Sequence, residues 1–486
     1  MRVSYFNEEA RWLMTAGAIA AAKMHARGMP VDVPYCEKAI EDLKQQYTEI
    51  EAIGFRQDGG REWKQRYGHE ASFNNDNQLR FIIQEVLQLE TDAEALTAGG
   101  LISTKAAVLE ELCEGSDIPL LQSVLTYRKY YKAANTFLSG ILQETVDGVL
   151  HPFFHVCGFE DGGNTVVTYR TSSSRPNFQN QPTRDPVIGK LIRNAIRAPK
   201  GYVIMEADYS AIEVHAAAWY HKDPTMLKYL RDDLDMHKDM TLECFMLSLE
   251  EYEGLSPKPK ALRNIAKNAF TFPEFYGSYW PDVATGLWKK MASSGVTLAN
   301  GVSVVEHLKA HGVQGLLKPK RNQRGFDNPE KGSYCKFIQQ VEQNFWKKRF
   351  PVYNQWKLDW LEAYRKEGGF TTLTGFRHEG IFRRNEVINT PVQGTACHCK
   401  LRALIHLFGQ CEKRKIRGMP NAEIHDSILS LVPKDEADDY ASLTHASMVT
   451  HVKEAWPFII TPIKIEIEQT PEGGTWYEKE ERKFSI

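Results

Sequence analysis

Helical and strand-like hydrophobic patterns alternate along this 486-residue chain. Apolar positions recur every three to four residues over 10–53, with a Gly-Met-Pro-Val break, and this spacing predicts two helices. Further helical patterns occur over 74–142, and short strand-like segments follow over 149–207. Helical patterns return over 211–366, and the last hundred residues mix helical and strand-like segments. The pattern predicts an α+β fold with a sheet assembled from distant parts of the chain.

One strand-like run ends at an aspartate. In VIMEADYSAIEVH (203–215), the apolar start is typical of a buried strand, and a helical pattern begins at Ile212. Asp208 between them can be an N-cap of the helix or part of a surface turn, since an unpaired buried carboxylate is costly. This stretch alone leaves a functional role and these two interpretations open.

A second aspartate stands between two short strand patterns. The stretch NAEIHDSILSLVP (421–433) predicts a β-hairpin that turns at His425 and Asp426. An aspartate in such a turn is ordinarily only a turn residue. If this hairpin lies beside the strand that carries Asp208, however, the two carboxylates converge and need cations between them. Mg²⁺ prefers such oxygen ligands, and a pair of these ions can promote phosphoryl displacement.

A helical stretch at 261–272 supplies cations for phosphate groups. Arg263, Ala266, Lys267 and Phe270 are spaced to share one face of a helix. A solvated basic face would explain the two cations, but aromatic residues and the sequence EFYGSY follow closely. This arrangement suits a triphosphate held by cations while a base stacks on an aromatic ring.

Composition narrows the class of protein. The chain has 60 basic and 62 acidic residues, so a nucleic-acid cleft would need local rather than overall positive charge. Its eight cysteines are scattered without a CxxC pair, and the CHC at 397–399 falls in a helical run whose adjacent side chains diverge, which disfavours zinc. No apolar run has the length of a membrane span or signal peptide, so we expect a cytoplasmic protein.

Together the motifs resemble those of the polymerase module of DNA polymerase family A, including its phage members. DYSAIE (208–213) is similar to the first palm motif, RNIAKNAFTFPEFYG (263–277) to the fingers-helix motif, and IHDS (424–427) to the second palm motif. Other segments match in the same order: TYRTSSSRPNFQNQP (168–182), DMH (235–237), TLTGFR (372–377), NTPVQGTA (389–396) and GGTW (473–476). The similarity runs from about residue 12 to residue 478.

This resemblance implies a right-hand polymerase with an antiparallel palm sheet, fingers and a thumb. The expected division is a helical segment leading into the thumb at 1–75, the thumb at 76–148, a first palm part at 149–220, the fingers at 221–384 and a second palm part at 385–486. The implied activity is DNA-directed DNA synthesis from dNTPs in replication or repair, at two Mg²⁺ ions. Expected partners are a primer–template and, as candidates, replication accessory proteins, with the chain acting as a monomer in a bacterial or phage-infected cytoplasm.

The resemblance also implies roles for single residues. Asp208 and Asp426 would hold the two metal ions with the carbonyl of Tyr209. The incoming nucleotide would contact Arg263, Lys267, His237, Glu213, Phe272 and Tyr276, the last of these at the position of the template base and hydrogen-bonded to Glu213. The primer–template would contact Arg170, Asn177, Gln179, Asn180, Asn389, Gln393 and His425, whose donors can bind minor-groove acceptors that all base pairs share.

Three departures from the family pattern bear on these roles. Ser427 stands where an acidic residue usually follows the second aspartate, and His215 replaces a usual arginine. Lys267 and Tyr276 are nine residues apart, whereas the family spacing is eight. The aromatic residue that stacks on the nucleoside is therefore Phe272, which we favour, or Phe270, while strict spacing selects Thr271. The segment between Tyr279 and Phe337 is also longer than the usual bacterial pattern.

Other classes of function compete with this interpretation. A single-subunit RNA polymerase has a similar palm, but a bulky acid at position 213 opposes a ribose 2′-hydroxyl. A silent DNA-binding protein needs neither the aspartates nor the cation pair, and a metal-dependent nuclease does not need the fingers helix. Because the match begins almost at Met1, we also expect no 3′→5′ proofreading exonuclease.

Overall fold

The computed structural model describes residues 7–89, 96–97, 99–114, 118–156, 168–181, 185, 187–257, 259–322 and 325–482. Helices dominate these ranges. They are α1 (Glu8–Arg27), α2 (Val33–Gly54), α3 (Gly60–Tyr67), α4 (Asp76–Phe81), α5 (Ala106–Glu114), α6 (Pro119–Lys132), α7 (Ser139–Gln143), α8 (Ile188–Ala195), α9 (Ile212–His221), α10 (Pro224–Arg231), α11 (Met236–Cys244), α12 (Leu249–Glu253), α13 (Pro259–Ala266), α14 (Phe272–Phe275), α15 (Trp280–Ala292), α16 (Val304–Ala310), α17 (Tyr334–Asn344), α18 (Pro351–Glu367), α19 (Arg384–Arg414), α20 (Ala437–His445) and α21 (Val452–Ala455).

Several helices continue into short π-helical segments with i→i+5 hydrogen bonding. They are Ile82–Val86, Ala133–Leu138, Lys267–Thr271, Phe345–Arg349 and Ala446–His451. The third of these interrupts the predicted fingers helix between α13 and α14. Such segments hold one residue more per turn than an α-helix and are frequent at functional sites.

The strands are short apart from those of one sheet. They are β1 (Met29–Pro30), β2 (Thr145–Val146), β3 (Val149–Leu150), β4 (Phe153–His155), β5 (Ser172–Ser174), β6 (Tyr202–Tyr209), β7 (Arg321–Asn322), β8 (Gly325–Phe326), β9 (Gly369–Thr371), β10 (Arg377–Glu379), β11 (Met419–Ile424), β12 (Ser427–Pro433), β13 (Ile465–Gln469) and β14 (Glu480–Glu481). The stretch 318–333 contains the small β7–β8 pair.

The main sheet has five strands in the order β11-β12-β6-β13-β14. β6 lies in its middle and pairs antiparallel with β12 on one side and with β13 on the other. Its apolar run is buried, with Val203, Ile204 and Met205 each 1% exposed, which explains the continuous hydrophobic sequence of this strand. The α+β prediction, with strands from distant parts of one chain, is confirmed.

The 31-residue helix α19 supports this sheet. At 1.5 Å per residue it is about 46 Å long. It packs against α1, α9 and β11, and most of its residues from Val387 to Cys411 are buried. Because it begins beside the fingers and ends behind the sheet, one rigid element connects the two.

A second, smaller core lies apart from the main one. It is built from Trp63, Phe73, Leu79, Ile83 and Tyr127 with their apolar neighbours. These residues come from both sides of position 75, where the predicted N-terminal segment meets the predicted thumb. The division into subdomains stays a prediction. Within the described ranges, no helix is long and apolar enough to cross a membrane.

Candidate active site

Asp208 lies inside β6, one residue before the strand ends. The following helix α9 begins at Ile212, and its N-cap residue is Ala211, whose side chain makes no capping hydrogen bond. The interpretation of Asp208 as an N-cap is therefore wrong. Its carboxylate lies at one end of the sheet, near the last residue of the central strand.

The β11–β12 hairpin brings the second aspartate to the same place. The predicted hairpin is confirmed, since Ile424 pairs with Ser427 and only His425 and Asp426 form the turn. Ser427 in turn pairs with Asp208 across β12 and β6. Because Asp426 directly precedes Ser427, this register places both carboxylates at the same end of the sheet.

The pKa of the Asp208 carboxyl group is raised above its ordinary value. Burial raises the pKa of Asp208 to about 7, and the negative charges of Asp426 and Glu206 add to this rise. The Lys479 ammonium acts in the opposite direction but is outweighed. The rise in the pKa of Asp208 therefore comes first from burial and then from the nearby negative charges.

A divalent cation fits this pair. The Oδ1 atom of Asp426 is buried and has no hydrogen-bond partner among the described residues. The nearest guanidinium nitrogen, Nη2 of Arg170, is 3.9 Å from it, beyond hydrogen-bonding distance. An orphaned carboxylate oxygen beside a second carboxylate is the kind of ligand set that Mg²⁺ takes, with water completing its shell. Tyr209 follows Asp208, and its hydroxyl donates to the carbonyl of Met448 at 2.6 Å, which fixes the backbone there.

Glu213 is held from two sides at the entrance to α9. The hydroxyl of Tyr276 donates a hydrogen bond to one oxygen of Glu213, and Nη2 of Arg170 lies 2.7 Å from the other. The carbonyl of Tyr276 accepts a hydrogen bond from the side chain of Asn389 at 3.1 Å. Burial, and then the Glu213 carboxylate, raise the pKa of Tyr276, so its hydroxyl stays protonated as a donor. The predicted contact between Tyr276 and Glu213 is present in the structure.

The cations Arg263 and Lys267 lie close to His237. Arg263 donates to the carboxylate of Asp235 at 2.7 Å, and Asp235 also caps the N-terminus of α11, which carries His237. Burial, with further contributions from Arg263 and Lys267, lowers the pKa of His237 to about 4. Its ring is therefore neutral at pH 7, and its buried Nδ1 has no hydrogen-bond partner among the described residues.

The π-helical segment Lys267–Thr271 accounts for the extra residue between Lys267 and Tyr276. Its wider turn takes up one residue, so the polar positions before and after it still face one cleft. The three candidates for a stacking residue separate clearly. Phe270 and Thr271 are fully buried, and the ring of Phe270 packs against Phe345 at 5.3 Å. The prediction that Phe270 shares a face with Arg263 and Lys267 is thus wrong.

Phe272 has the position that a stacking residue needs. It is half-buried and lines one cleft together with Glu213, Tyr276 and Asp426. The Nζ of Lys267 lies 5.2 Å above its ring, and the ring of His237 contacts it edge-on at 5.6 Å. Of the three candidates, only Phe272 combines an accessible ring with a contact to the Lys267 ammonium group.

The residues predicted to contact a primer–template lie on two sides of the carboxylates. Asn389 and Gln393 of α19 line the same cleft as Phe272. A neighbouring groove is lined by Arg170, Asn177, Gln179, Asn180 and His425. Gln179 is 8% exposed and donates to Glu423 and Thr171, each at 3.3 Å, whereas Asn180 is exposed. The structure brings these residues together, and their contacts with DNA stay predictions.

Two departures from the family pattern have structural explanations. His215 is buried, its Nδ1 lies 2.8 Å from the hydroxyl of Thr461, and burial lowers its pKa to about 4. It is a neutral packing residue and no substitute for a cation. Ser427 donates to Glu206 at 3.1 Å, so an acidic side chain is present one strand away from its usual position.

Sequence reasoning missed Glu206 and Lys479. Glu206 also accepts a hydrogen bond from Trp476 at 2.8 Å and pairs with Lys479 at 2.5 Å, and Lys479 pairs with Glu468 as well. The period of two along a strand places Glu206 on the same face as Asp208, which was a usable signal. The cation that balances it comes from the C-terminal end of the chain, and no local pattern indicates that contact.

The chain is similar to known DNA polymerases. A family model for DNA polymerase family A matches residues 35–294. The chain is 26% identical over 459 residues to a thermostable DNA polymerase I of Thermus thermophilus, covering 92% of this chain and 46% of that protein. It is 24% identical over 465 residues to DNA polymerase I of Bacillus subtilis strain 168, covering 95% and 45%. It therefore spans about half the length of these curated relatives.

A solved structure has a similar fold. It is the POL domain of Pol1 from M. smegmatis in complex with a DNA primer-template and dNTP, with a TM-score of 0.70 and 21% sequence identity. The alignment covers 96% of this chain and 70% of that one.

The raised pKa of Asp208 predicts a pH-dependent metal affinity. Below the pKa of about 7, a divalent cation has to displace a proton from this carboxyl group; above it, the group is already ionised. We expect the affinity for Mg²⁺ or Mn²⁺, measured by calorimetry, to rise about tenfold between about pH 6 and about pH 8 and then level off. In the metal-free protein the same ionisation is unfavourable, so stability should fall as the pH rises toward 7. An Asp208→Asn variant whose metal affinity keeps the full pH dependence would contradict this assignment.

Proposed function

The chain belongs to DNA polymerase family A, and on that premise we propose that it is a template-directed DNA polymerase. It would extend the 3′ end of a primer with dNTPs and release pyrophosphate, in DNA replication or repair. The observation that carries the proposal is the pairing of Ser427 with Asp208, which joins the two aspartates beside a cleft lined by Glu213, Phe272 and Tyr276. We expect the chain to act as a monomer on a primer–template, with replication accessory proteins as candidate partners.

Two Mg²⁺ ions would be held by Asp208 and Asp426, with the carbonyl of Tyr209. The chemistry that such a pair supplies when bound is activation of the attacking oxygen and neutralisation of the leaving oxygen in an in-line displacement. The protein's own contribution is to hold two carboxylates together against their repulsion. The orphaned Oδ1 of Asp426 and the raised pKa of Asp208 support this role.

Arg263, Lys267 and His237 would bind the triphosphate. Arg263 is oriented by its ion pair with Asp235, and a planar guanidinium can bind phosphate through two parallel hydrogen bonds. His237 is neutral, so it can donate one hydrogen bond without adding a third positive charge to the cluster. Phe272, beside these residues, would stack on the base of the same nucleotide.

Glu213 would select the sugar. Tyr276 and Arg170 hold its two oxygens, so the side chain has little freedom to move away from a 2′-hydroxyl. Displacing it would also break a hydrogen bond to each partner. Such a site combines a steric barrier with stranded polar groups, and it can discriminate far more strongly than an apolar pocket.

Loss of either aspartate should abolish primer extension. We expect Asp208→Asn and Asp426→Asn each to lower the extension rate about a thousandfold or more, because a metal ligand stabilises the transition state. Primer–template affinity should change little, since neither carboxylate is proposed to hold DNA. Asp435→Asn, an exposed acid beyond the far end of β12, is a matched control. Extension by either active-site variant at the rate of this control would refute the metal assignment.

Truncation of Glu213 should relax sugar selectivity. For Glu213→Ala we expect kcat/KM for an rNTP, relative to the matching dNTP, to rise at least about tenfold, equivalent to roughly 1.4 kcal/mol. Glu250→Ala, which removes an exposed acid from α12, controls for the loss of a negative charge. If the Glu213→Ala ratio equals that of wild type, Glu213 is no sugar gate and an RNA polymerase becomes the better hypothesis.

The expected lack of proofreading stays a prediction. A primer with a mismatched 3′ end, incubated with this chain and Mg²⁺ but without nucleotides, should keep its length. The double variant Asp208→Asn/Asp426→Asn serves as the control. Steady primer shortening in both proteins would reveal an exonuclease site separate from the polymerase carboxylates.

A further inference from the structure

A buried ammonium group lies directly behind the turn that carries Asp426. Lys400, from the middle of α19, has no exposed surface, and its Nζ lies 2.9 Å from Oε2 of Glu423, which is also buried. The same nitrogen donates to the carbonyl of His425 at 2.8 Å and to the hydroxyl of Thr171 at 3.1 Å. Two of the three N–H donors of the ammonium group are used by these two oxygens, and the Glu423 carboxylate adds an ion pair.

The turn itself needs such support. His425 has φ of 51°, in the left-handed region that residues with a side chain rarely adopt. This conformation directs Asp426, the next residue, toward Asp208. The hydrogen bond from Lys400 is made to the carbonyl of the same left-handed residue. A strained residue persists where the surrounding structure fixes it, and strained residues cluster at functional sites.

The charge pair makes a buried ammonium tolerable. Burial alone would lower the pKa of Lys400, but the Glu423 carboxylate raises it above its ordinary value, so the group stays charged. Glu423 is fixed in turn by Gln179, which donates to its other oxygen at 3.3 Å. Glu423 therefore neutralises Lys400, and Lys400 contacts the turn.

We propose that Lys400 is a positioning residue for the metal-binding turn. Its ammonium group fixes the His425 carbonyl, and through it the orientation of Asp426, while Glu423 balances the buried charge. This role rests on the proposed polymerase function for its kinetic consequence, but the effect on the turn is independent of catalysis. Lys400 itself contacts neither substrate nor metal in this arrangement.

The test compares Glu423→Gln with Lys400→Met/Glu423→Gln. Both proteins lack the buried carboxylate, and the second also lacks the buried ammonium, so they differ in the contacts of Lys400 with His425 and Thr171. We expect kcat for primer extension to be about tenfold to a hundredfold lower in the double variant than in Glu423→Gln, since small misplacements of reacting groups have effects of this size. The Mg²⁺ concentration for half-maximal rate should rise in the double variant, because the altered contact orients the turn that carries Asp426.

Hydrogen–deuterium exchange of the 421–430 hairpin, without DNA or metal, provides a readout apart from activity. Exchange should be faster in the double variant than in Glu423→Gln, because only Glu423→Gln keeps the donor to the His425 carbonyl. Equal exchange and equal kcat in the two variants would overturn the proposal, since a purely structural ion pair predicts that removing both charges restores the protein.

The single variant keeps the proposal testable if the double variant fails to fold. Complete loss of hairpin protection in Glu423→Gln, where Lys400 still donates to His425, would show that the charge pair and not the carbonyl contact holds the turn. Failure of the proposed function is a separate result: wild-type protein would then not extend primers at all, whatever the exchange rates show.

Discussion

The central constraint in this protein is the repulsion between two carboxylates that the sheet register forces together. β6 cannot shift by one residue without moving Glu206 and Asp208 onto the face of Val203, Met205 and Ala207, because such a shift exchanges the two faces of a strand. The hydrophobic run of β6 therefore fixes where Asp208 lies, and the pairing of Ser427 with Asp208 fixes where Asp426 lies. Packing energy holds in place a pair of charges that would separate in a free chain.

The cations around this pair are themselves held by second carboxylates. Arg170 contacts Glu213, Lys479 contacts Glu206 and Glu468, and Lys400 contacts Glu423. Each cation is therefore largely neutralised by a carboxylate other than Asp208 and Asp426. This arrangement keeps the site able to accept divalent ions, since a strong direct salt bridge to Asp208 or Asp426 would occupy the oxygens that a metal needs. The buried ion pairs therefore serve placement more than stability, in line with the small net gain of such pairs.

The fingers show how one added residue can be accommodated without loss of geometry. A straight α-helix would rotate every side chain after the insertion by about 100° and carry Tyr276 away from Glu213. The π-helical segment confines the extra residue to one wide turn, where Phe270 and Thr271 point into the core and Phe272 faces the cleft. Tyr276, after this segment, still donates to Glu213.

Local patterns in the sequence are enough to predict the helices and strands and the chemical groups that they carry. Strand-length apolar runs ending at Asp208 and Asp426, the spacing of Arg263 and Lys267, and the ordered motifs all depend on local patterns, so the α+β class, the hairpin and the family followed from them. The tertiary structure is needed to show which of Phe270, Thr271 and Phe272 faces the cleft. The π-turn rotates the side chains that follow it relative to the regular α-helix on which residue spacing is based. Likewise, the pairs Lys400–Glu423 and Lys479–Glu206 join residues from separate elements. Their meeting depends on how α19 and the C-terminal strand pack on the sheet, and no periodicity within either segment encodes that contact.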